Sequence, residues 1–518
     1  MMQEFLGKPF RMAILGFVGL FVLSMIGYFL HASLFILVLL GLATLFATFR
    51  KLEWGIAVAF LELISNAHGY ILYASLGNVR ISARMIIFAS VFIGWGIAIL
   101  VRRSSIRLFD VRYTPFVLLA LAVVIGGIVG LTRRPFTEVF QDGNAYLYLV
   151  YLIPIVNVQW DSLKQRVALQ MLAAGMVFTT GMSLFILYAF THLSETFLRI
   201  MYVYLRDIRF AEMTGIGMGM YRIFEQTQVF AIVFGFILLE RVFRELSKRD
   251  RQIAIGLLSC VFVLIFVGMS RSFLFGFIAA MLILATWLSV GLKISLRNWL
   301  HGTSLIFVSM VIAIVIVYAT IQFPLPHTRA AGEYLTGVFG DRAIGTDVAV
   351  SSRWNLLRPM LDLIKDDPIF GNGFGQTVTF ITDDPRIRAI HPDGSWTTTS
   401  MEWGWLELWL KMGFLALIGF LTIFVVIAHT SSNLLRTEKA WVGVWILEFM
   451  TFLYFTHFFS PYLNHPIGIG LILLAVIFLP SFSFPFIIVR KHAKQKMPRG
   501  GGLAASVVVS KIHSADGV

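Results

Sequence analysis

Long apolar runs separated by short polar segments make up most of this 518-residue chain. A membrane-spanning helix needs about 20 mainly apolar residues. Segments that approach this length predict about 14 spans (12–14), at residues 12–30, 32–49, 53–73, 84–101, 114–131, 145–158, 167–190, 227–243, 253–269, 272–291, 303–322, 403–428, 440–458 and 466–488. The pattern therefore predicts an all-α polytopic membrane protein, in which the short segment 145–158 is a candidate for a tilted or interfacial helix.

The largest interruption is the polar segment 323–402, which the pattern places outside the membrane as a partly helical loop. Its apolar residues recur at helical spacing: Trp354, Leu357, Leu361 and Ile364. Ser351 or Ser352 is expected to cap this helix, and Pro368 to end it. A chain that lies almost wholly in the membrane has little reason to carry so long a polar loop unless the loop has a function.

The loop divides the chain into four parts. Residues 1–322 are expected to hold helices 1–11, 323–402 the large loop with part of a site, 403–488 helices 12–14, and 489–518 a basic tail. The first apolar run has no small-residue cleavage site behind it, which predicts an uncleaved first span.

Composition narrows the class of protein further. Hydrophobic residues make up 58% of the chain and charged residues 14%, against roughly 25% charged in soluble domains. The net charge of +14 comes from short basic clusters between apolar runs, which are typical of cytoplasmic anchors rather than of nucleic-acid binding. The single cysteine, Cys260, excludes a disulfide framework and a thiolate metal site.

Charge also predicts the topology. With both termini in the cytoplasm, every cytoplasmic segment holds at least two basic residues, as the positive-inside rule requires. The remaining 17 basic residues lie outside, and all but Lys365 and Lys411 are arginines. This bias favours planar, bidentate recognition of phosphate or carboxylate groups, although arginine also tolerates interfacial burial.

Two further outer segments carry arginines. Residues 191–228 include Arg222 and the amphipathic pattern of an interfacial helix, at Phe197, Ile200, Met201 and Tyr204. The tight turn 268–272 places Arg271 between two spans.

Four motifs together resemble the O-antigen ligase and O-antigen polymerase superfamily over about residues 210 to 420. They are a serine-arginine turn opening a span, an arginine-led loop helix, a proline-hydrophobic-phenylalanine-glycine turn, and a last loop span that ends near a glycine. In this chain they read Ser270-Arg271-Ser272, Ser352-Arg353-Trp354, Asp367-Pro368-Ile369-Phe370-Gly371-Asn372-Gly373-Phe374-Gly375, and Leu406 with Gly413. Each motif alone is weakly specific, whereas their order and spacing are fairly specific.

The resemblance implies a GT-C-like glycosyltransferase of the bacterial inner membrane, with the large loop in the periplasm. Its donor would be an undecaprenyl-pyrophosphate-linked oligosaccharide and its acceptor a hydroxyl of a glycan or glycolipid. No nucleotide sugar, cofactor or divalent metal is implied. Other polysaccharide-assembly proteins are possible partners, and nucleic acid is not expected.

The chain departs from the family at the expected base. Ligases of the family carry a histidine about eleven residues before the glycine, where this chain has Glu402, and His391 lies eleven residues further upstream. Glu402 and His391 are the two candidates for the catalytic base. A helix-dipole role for Glu402 and a merely solvated His391 remain the alternatives.

The remaining candidates would bind substrate. The arginines Arg271, Arg353, Arg222 and Arg358 are candidate pyrophosphate ligands, with Arg133 and Arg134 ranked below them, and an interfacial anchor is the alternative. The turn glycines Gly371, Gly373 and Gly375 either form an anion nest or only permit a positive φ. Trp403 either stacks on a sugar or belongs to an aromatic belt. Glu407 and Lys411, one turn apart, are expected to pair.

Three functions remain open at this point. A polymerase of lipid-linked repeat units is favoured, because the ligase histidine is absent from its usual position. An O-antigen ligase is second. A flippase of lipid-linked oligosaccharide is less favoured, because its charged residues should lie at mid-depth within spans rather than outside.

Overall fold

The computed structural model describes residues 2–323, 348–479 and 481–482, apart from residues 78, 108, 218, 219 and 384. Helices dominate this part of the chain, and nine of those in it are long and apolar enough to cross a membrane. Two shorter apolar helices, Ala440–Thr456 and Pro466–Phe478, add to them. The structure therefore confirms a mostly helical, multi-pass architecture, and the full count of 14 spans stays a prediction.

The first thirteen α-helices precede the loop. They are α1 Lys8–Phe29, α2 Ser33–Arg50, α3 Leu52–Ser65, α4 Ala83–Leu100, α5 Val117–Arg133, α6 Phe136–Gly143, α7 Leu152–Asn157, α8 Ser162–His192, α9 Glu195–Asp207, α10 Gln228–Val242, α11 Lys248–Gly268, α12 Arg271–Thr286 and α13 Leu296–Gln322.

The loop and the C-terminal part contribute α14 Val348–Asp366, α15 Pro385–Arg388, α16 Gly404–Met412, α17 Phe414–Leu434, α18 Ala440–Thr456 and α19 Pro466–Phe478. Three antiparallel hairpins interrupt the helices: β1 Tyr73–Leu76 with β2 Val79–Ser82, β3 Glu212–Gly217 with β4 Met220–Phe224, and β5 Val378–Ile381 with β6 Ser395–Thr398. The sequence patterns predicted none of these hairpins.

Three predicted spans differ from the structure. The segment 53–73 is helical only to Ser65, and the chain then turns into the first hairpin. The segment 145–158 is a 3₁₀ helix, Asn144–Tyr151, followed by the short α7. The segment 403–428 was expected to be one helix and is two, α16 and α17, which are separated at Gly413.

The break at Gly413 has a steric cause. Gly413 has a φ of +72°, a conformation that strains any residue with a Cβ. A Cβ at this position would lie 2.0 Å from the carbonyl oxygen of Ile369. The Phe414 backbone N–H donates to the Pro368 carbonyl at 3.1 Å, so the break is where the loop is fastened to the helices.

Helix α14 begins earlier and turns a different face inward than its pattern predicted. It begins at Val348, so Ser351 and Ser352 lie inside the helix and neither caps it. The buried face consists of Leu356, Met360 and Ile364, which pack with Val378, Met401 and Leu410. Trp354 was expected in the buried face but is 60% exposed. Each position on a helix is rotated by about 100° from the one before it, so Trp354, two positions before Leu356, lies on the far side of the helix.

The polar contacts of the N-terminus bring several connections to the same end of the helix bundle. Glu4 pairs with Arg166 at the start of α8 and with Arg241 at the end of α10. The Met2 backbone N–H donates to the Asp250 carboxylate, in the first turn of α11, at 2.7 Å. These are segments that the positive-inside rule assigns together to the cytoplasm.

Candidate functional site

Arg222 on strand β4 reaches the turn that precedes α12. Its Nε donates to the Gly268 carbonyl at 2.8 Å, and its guanidinium lies 4.7 Å from the ring centre of Phe224. Its Nη1 is 4.0 Å from a carboxylate oxygen of Glu212 on β3. The antiparallel register that pairs Thr214 with Arg222 thus holds Arg222 beside the turn that carries Arg271.

Arg271 is exposed at the first position of α12. Met269, at the end of α11, has a left-handed backbone with a φ of +47°, which reverses the chain between the two helices. The Ser272 hydroxyl lies 2.9 Å from that of Ser460. This contact brings the segment between α18 and α19 against the Arg271 turn.

Arg353 and Glu402 form an ion pair between α14 and the segment that precedes α16. Trp403 strengthens the link, because its indole Nε1 donates to the Arg353 carbonyl at 2.8 Å. The Trp403 ring also packs edge-on against Trp354, with ring centres 5.3 Å apart, and lies 5.7 Å from Phe459.

These contacts bring together five of the predicted site residues, Arg222, Arg271, Arg353, Glu402 and Trp403. Phe459 packs on Trp403, and the adjacent Ser460 contacts Ser272. The Arg353–Glu402 pair therefore lies close to the Arg271 turn. Arg222 contacts the same turn at Gly268. We call the group Arg222, Arg271, Arg353, Glu212 and Glu402 the arginine cluster.

Glu212 is the member of the arginine cluster that the sequence did not indicate. Its side chain is 63% accessible, yet the surrounding protein raises its pKa, and the nearby charge of Glu402 adds to this, while Arg222 opposes it. Glu212 therefore lies within electrostatic range of both Arg222 and Glu402. The arginine cluster brings cationic and acidic side chains together on one accessible surface.

Two predicted residues lie elsewhere. Arg358 is five positions after Arg353, about 140° around α14, and it is exposed there. It lies near Asp362, whose pKa is lowered by a hydrogen bond from Lys365 and also by the charge of Arg358. His391 is exposed in a backbone turn between β5 and β6, held by its N–H to the Ile387 carbonyl at 2.7 Å. The His391 side chain lies near Asp393, which is not a member of the arginine cluster.

The glycine turn has the geometry of a tight structural turn. Gly371, Gly373 and Gly375 have φ values of +75°, +83° and +82°. Their backbone N–H groups donate to the Asp367 carbonyl at 3.0 Å, the Lys411 carbonyl at 3.1 Å and the Asp142 carboxylate at 2.7 Å. Because protein acceptors use all three donors, the anion-nest interpretation of these glycines is not favoured.

Arg133 and Arg134 support this turn. Arg133 pairs with Asp367 at 2.8 Å. Arg134 donates to the Asn372 carbonyl at 3.0 Å and to the side chain of Gln376. Both arginines therefore have a structural role, in agreement with their low rank as candidate ligands.

Glu407 and Lys411 pair as expected, with Nζ and Oε1 2.6 Å apart. The structure adds Asp142, whose carboxylate lies 2.6 Å from the same ammonium. Asp142 is 269 positions away in sequence, and no local pattern could have indicated it.

A buried carboxyl three residues after Arg222 also escaped the sequence patterns. The Ser183 hydroxyl donates to Glu225 at 2.7 Å. Burial raises the pKa of Glu225 to about 8, and the Ser183 hydrogen bond only partly opposes this. Glu225 therefore carries its proton at neutral pH beside the segment that holds Arg222.

The arrangement can perform two chemical tasks. Guanidinium groups stay charged and can hold two oxygens of an anion at once, which suits a pyrophosphate. An accessible carboxylate beside these guanidinium groups can accept a proton from a hydroxyl, and the Glu402 side chain is 52% accessible.

A comparison with protein families supports the predicted relationship. Residues 255–421 match the family model described as O-Antigen ligase. The matched region contains Arg271, Arg353, Glu402 and the glycine turn, and Arg222 precedes it. Searches of curated proteins and of solved structures gave no match. The family match confirms, over residues 255–421, the resemblance that the four motifs predicted.

Proposed function

We propose that this chain, whose residues 255–421 match the O-antigen ligase family model, polymerises oligosaccharide repeat units linked to undecaprenyl pyrophosphate. The family match supports a function of the ligase and polymerase type in a membrane setting. The observation that carries the finer proposal is the contact network that brings Arg222, Arg271 and Arg353 together with Glu402.

In the proposed reaction, a hydroxyl oxygen of the acceptor glycan attacks the anomeric carbon of the donor. The bond between that carbon and the pyrophosphate oxygen breaks, and undecaprenyl pyrophosphate leaves with the bonding electrons. Arg271, Arg222 and Arg353 stabilise the negative charge that develops on the leaving group. The proton of the attacking hydroxyl passes to the Glu402 carboxylate.

The ion pair between Arg353 and Glu402 suits both roles. In the absence of donor, each group neutralises the other, which lowers the cost of holding two charges in a partly enclosed site. A bound pyrophosphate would compete for Arg353 and release Glu402 toward the acceptor. The base would then become available only when the donor is present.

An O-antigen ligase is the second candidate, because the matched family model carries that description. The polymerase is preferred because Glu402, and not a histidine, stands eleven residues before Gly413. A glycan repeat would be the acceptor in the first case and a glycolipid such as lipid A core in the second.

The proposed setting is the bacterial inner membrane, with both termini in the cytoplasm and the arginine cluster at the periplasmic face. It is supported by the basic clusters at the opposite end of the bundle, around Glu4. A GT-C-like architecture and association with other polysaccharide-assembly proteins belong to the same proposal.

The experiment that separates the two enzymes varies the acceptor. Purified protein is incubated with an undecaprenyl-pyrophosphate oligosaccharide, with and without lipid A core, and the products are resolved on a gel. A ladder of longer lipid-linked chains without lipid A core is expected for the polymerase. Product that forms only with lipid A core would contradict it and establish the ligase.

A further inference from the structure

A buried lysine ties the large loop to the helices. The Lys411 ammonium lies 2.6 Å from Asp142 Oδ1, 2.6 Å from Glu407 Oε1 and 2.7 Å from the Thr399 carbonyl oxygen. The Lys411 side chain is only 4% exposed. An ammonium has three N–H donors, and these three acceptors use all of them, so Lys411 has no donor left for a substrate.

The chain is held on both sides of Glu402, upstream by the Lys411 ammonium and downstream by the first turn of α16, which carries Glu407. Upstream, the Thr399 carbonyl accepts from Lys411. Downstream, the Glu407 backbone N–H donates to the Trp403 carbonyl at 2.8 Å. Met401, directly before Glu402, is fully buried in the loop core. Glu402 is therefore an exposed carboxylate on a backbone segment that is anchored at each end.

A second set of contacts ties the glycine turn to the same lysine. Asp142 Oδ2 accepts the Gly375 backbone N–H at 2.7 Å, while Asp142 Oδ1 binds Lys411. The Lys411 carbonyl accepts the Gly373 N–H at 3.1 Å. Helix α6, the glycine turn and α16 thus meet at one buried ion group.

Burying three charged groups is costly unless each one is paired. A structural link alone could be made from apolar side chains at lower cost, since such replacements of buried ion pairs are often neutral or stabilising. An ammonium whose three donors are all bonded instead fixes one geometry, because its hydrogen bonds are directional.

We infer that Lys411, Glu407 and Asp142 form a clasp that positions Glu402 and Trp403 for glycosyl transfer. The inference rests on the proposed function, and it assigns these three residues as positioning residues that do not touch the substrate. Loosening the clasp should free segment 399–404 and displace the base, while the arginines still bind the donor.

The test compares variants by hydrogen exchange of the amides in 399–404 and by transfer kinetics. Lys411→Met leaves two carboxylates unpaired and can fail to fold, whereas Lys411→Met/Glu407→Gln removes a charge from each side and keeps similar volumes. Lys365→Met is the matched control, because Lys365 pairs with Asp362 on the exposed face of α14 at 2.9 Å.

We expect the amides of 399–404 to exchange at least about tenfold faster in the double variant than in the unaltered protein. Its kcat should fall by roughly 10- to 100-fold, because a displaced base loses part of the rate enhancement that a positioned base supplies. The KM for the donor should stay within about twofold of the unaltered protein, because the arginine cluster is intact. Lys365→Met should match the unaltered protein in all three quantities.

Unchanged exchange in 399–404 would overturn the inference. Faster exchange with unchanged kcat, or a raised KM with unchanged kcat, would overturn the positioning role. If the unaltered protein transfers no glycan to any acceptor, the proposed function fails, and the exchange data still decide whether the clasp orders the segment.

Discussion

The arginines of the cluster differ from ordinary surface arginines in their partners. Arg222 binds a backbone carbonyl and faces Glu212, and Arg353 faces Glu402. A guanidinium that is already oriented loses less side-chain entropy when it binds an anion. The acidic partners Glu212 and Glu402 keep the net charge of the arginine cluster low until a pyrophosphate binds.

Glu402 should be needed for the chemical step. Glu402→Gln keeps the size of the side chain and removes the proton acceptor, so kcat should fall by about 10²- to 10⁴-fold, with little change in the KM for the donor. Asp362→Asn, an acid-to-amide change on the exposed face of α14, should leave the rate unchanged. A kcat within about twofold of the unaltered protein would exclude Glu402 as the base and direct the search to His391→Ala.

Glu225 should make stability depend on pH. The pKa of Glu225 is about 8 in the folded protein, whereas its ordinary value is 4.5. Between pH 4.5 and about pH 8 the folded state therefore binds more protons than the unfolded state. Stability should therefore fall as pH rises from about 4.5 to about 8. Glu225→Gln should raise the thermal unfolding midpoint in detergent at pH 7.5, and the gain should vanish near pH 4.5. A gain that is equal at both pH values would contradict the assigned pKa.

Between elements, the glycine turn packs directly against the backbone of helix α5. The Phe374 backbone N–H donates to the Gly126 carbonyl at 3.0 Å. A Cβ at Gly130 would lie 2.7 Å from the Phe374 carbonyl oxygen, whereas a Cβ at Gly127 would contact nothing within 4 Å. The loop is thus set directly against the helix backbone.

This difference gives a matched pair of substitutions in one helix. Gly130→Ala should destabilise the protein by about 1–3 kcal/mol, because the backbone it meets cannot move aside freely. Gly127→Ala should be neutral or slightly stabilising, by up to about 1 kcal/mol, through helix propensity. Thermal unfolding of both variants in detergent tests this, and equal midpoints would show that the turn does not pack on α5 as described.

The hydrophobic pattern and the motifs predicted most of the helices and several site residues. They predicted less well where each helix begins and ends, and which residues meet across long distances in the sequence. The pairing of Glu407 with Lys411 follows from helical spacing, and the motif order indicated Arg271, Arg353 and Glu402. Asp142 and Glu212 were missed because their roles depend on tertiary contacts and hairpin register, which no local period encodes. The break at Gly413 was missed because an isolated glycine inside an apolar run does not reveal that a loop carbonyl lies against it.

For the whole molecule, the proposed sidedness can be tested by labelling. In a Cys260→Ser background, Asp362→Cys and Arg251→Cys place single thiols at exposed positions on α14 and α11. A membrane-impermeant maleimide should label Asp362→Cys in intact spheroplasts and Arg251→Cys only after lysis. The reverse pattern would place the arginine cluster in the cytoplasm and would contradict a polymerase that acts at the periplasmic face.

The central proposal for the whole molecule is glycosyl transfer at the arginine cluster. It is tested by incubating the purified protein with undecaprenyl-pyrophosphate oligosaccharide beside Arg271→Ala and Arg388→Ala, the second being an arginine of the same loop that pairs with Asp383 outside the cluster. We predict a ladder from the unaltered protein and from Arg388→Ala, and a loss of about 10²-fold or more in rate for Arg271→Ala. Equal ladders from all three proteins would remove Arg271 from the site. No ladder from any of them, together with passage of lipid-linked glycan across liposomes, would contradict the enzyme and favour a flippase.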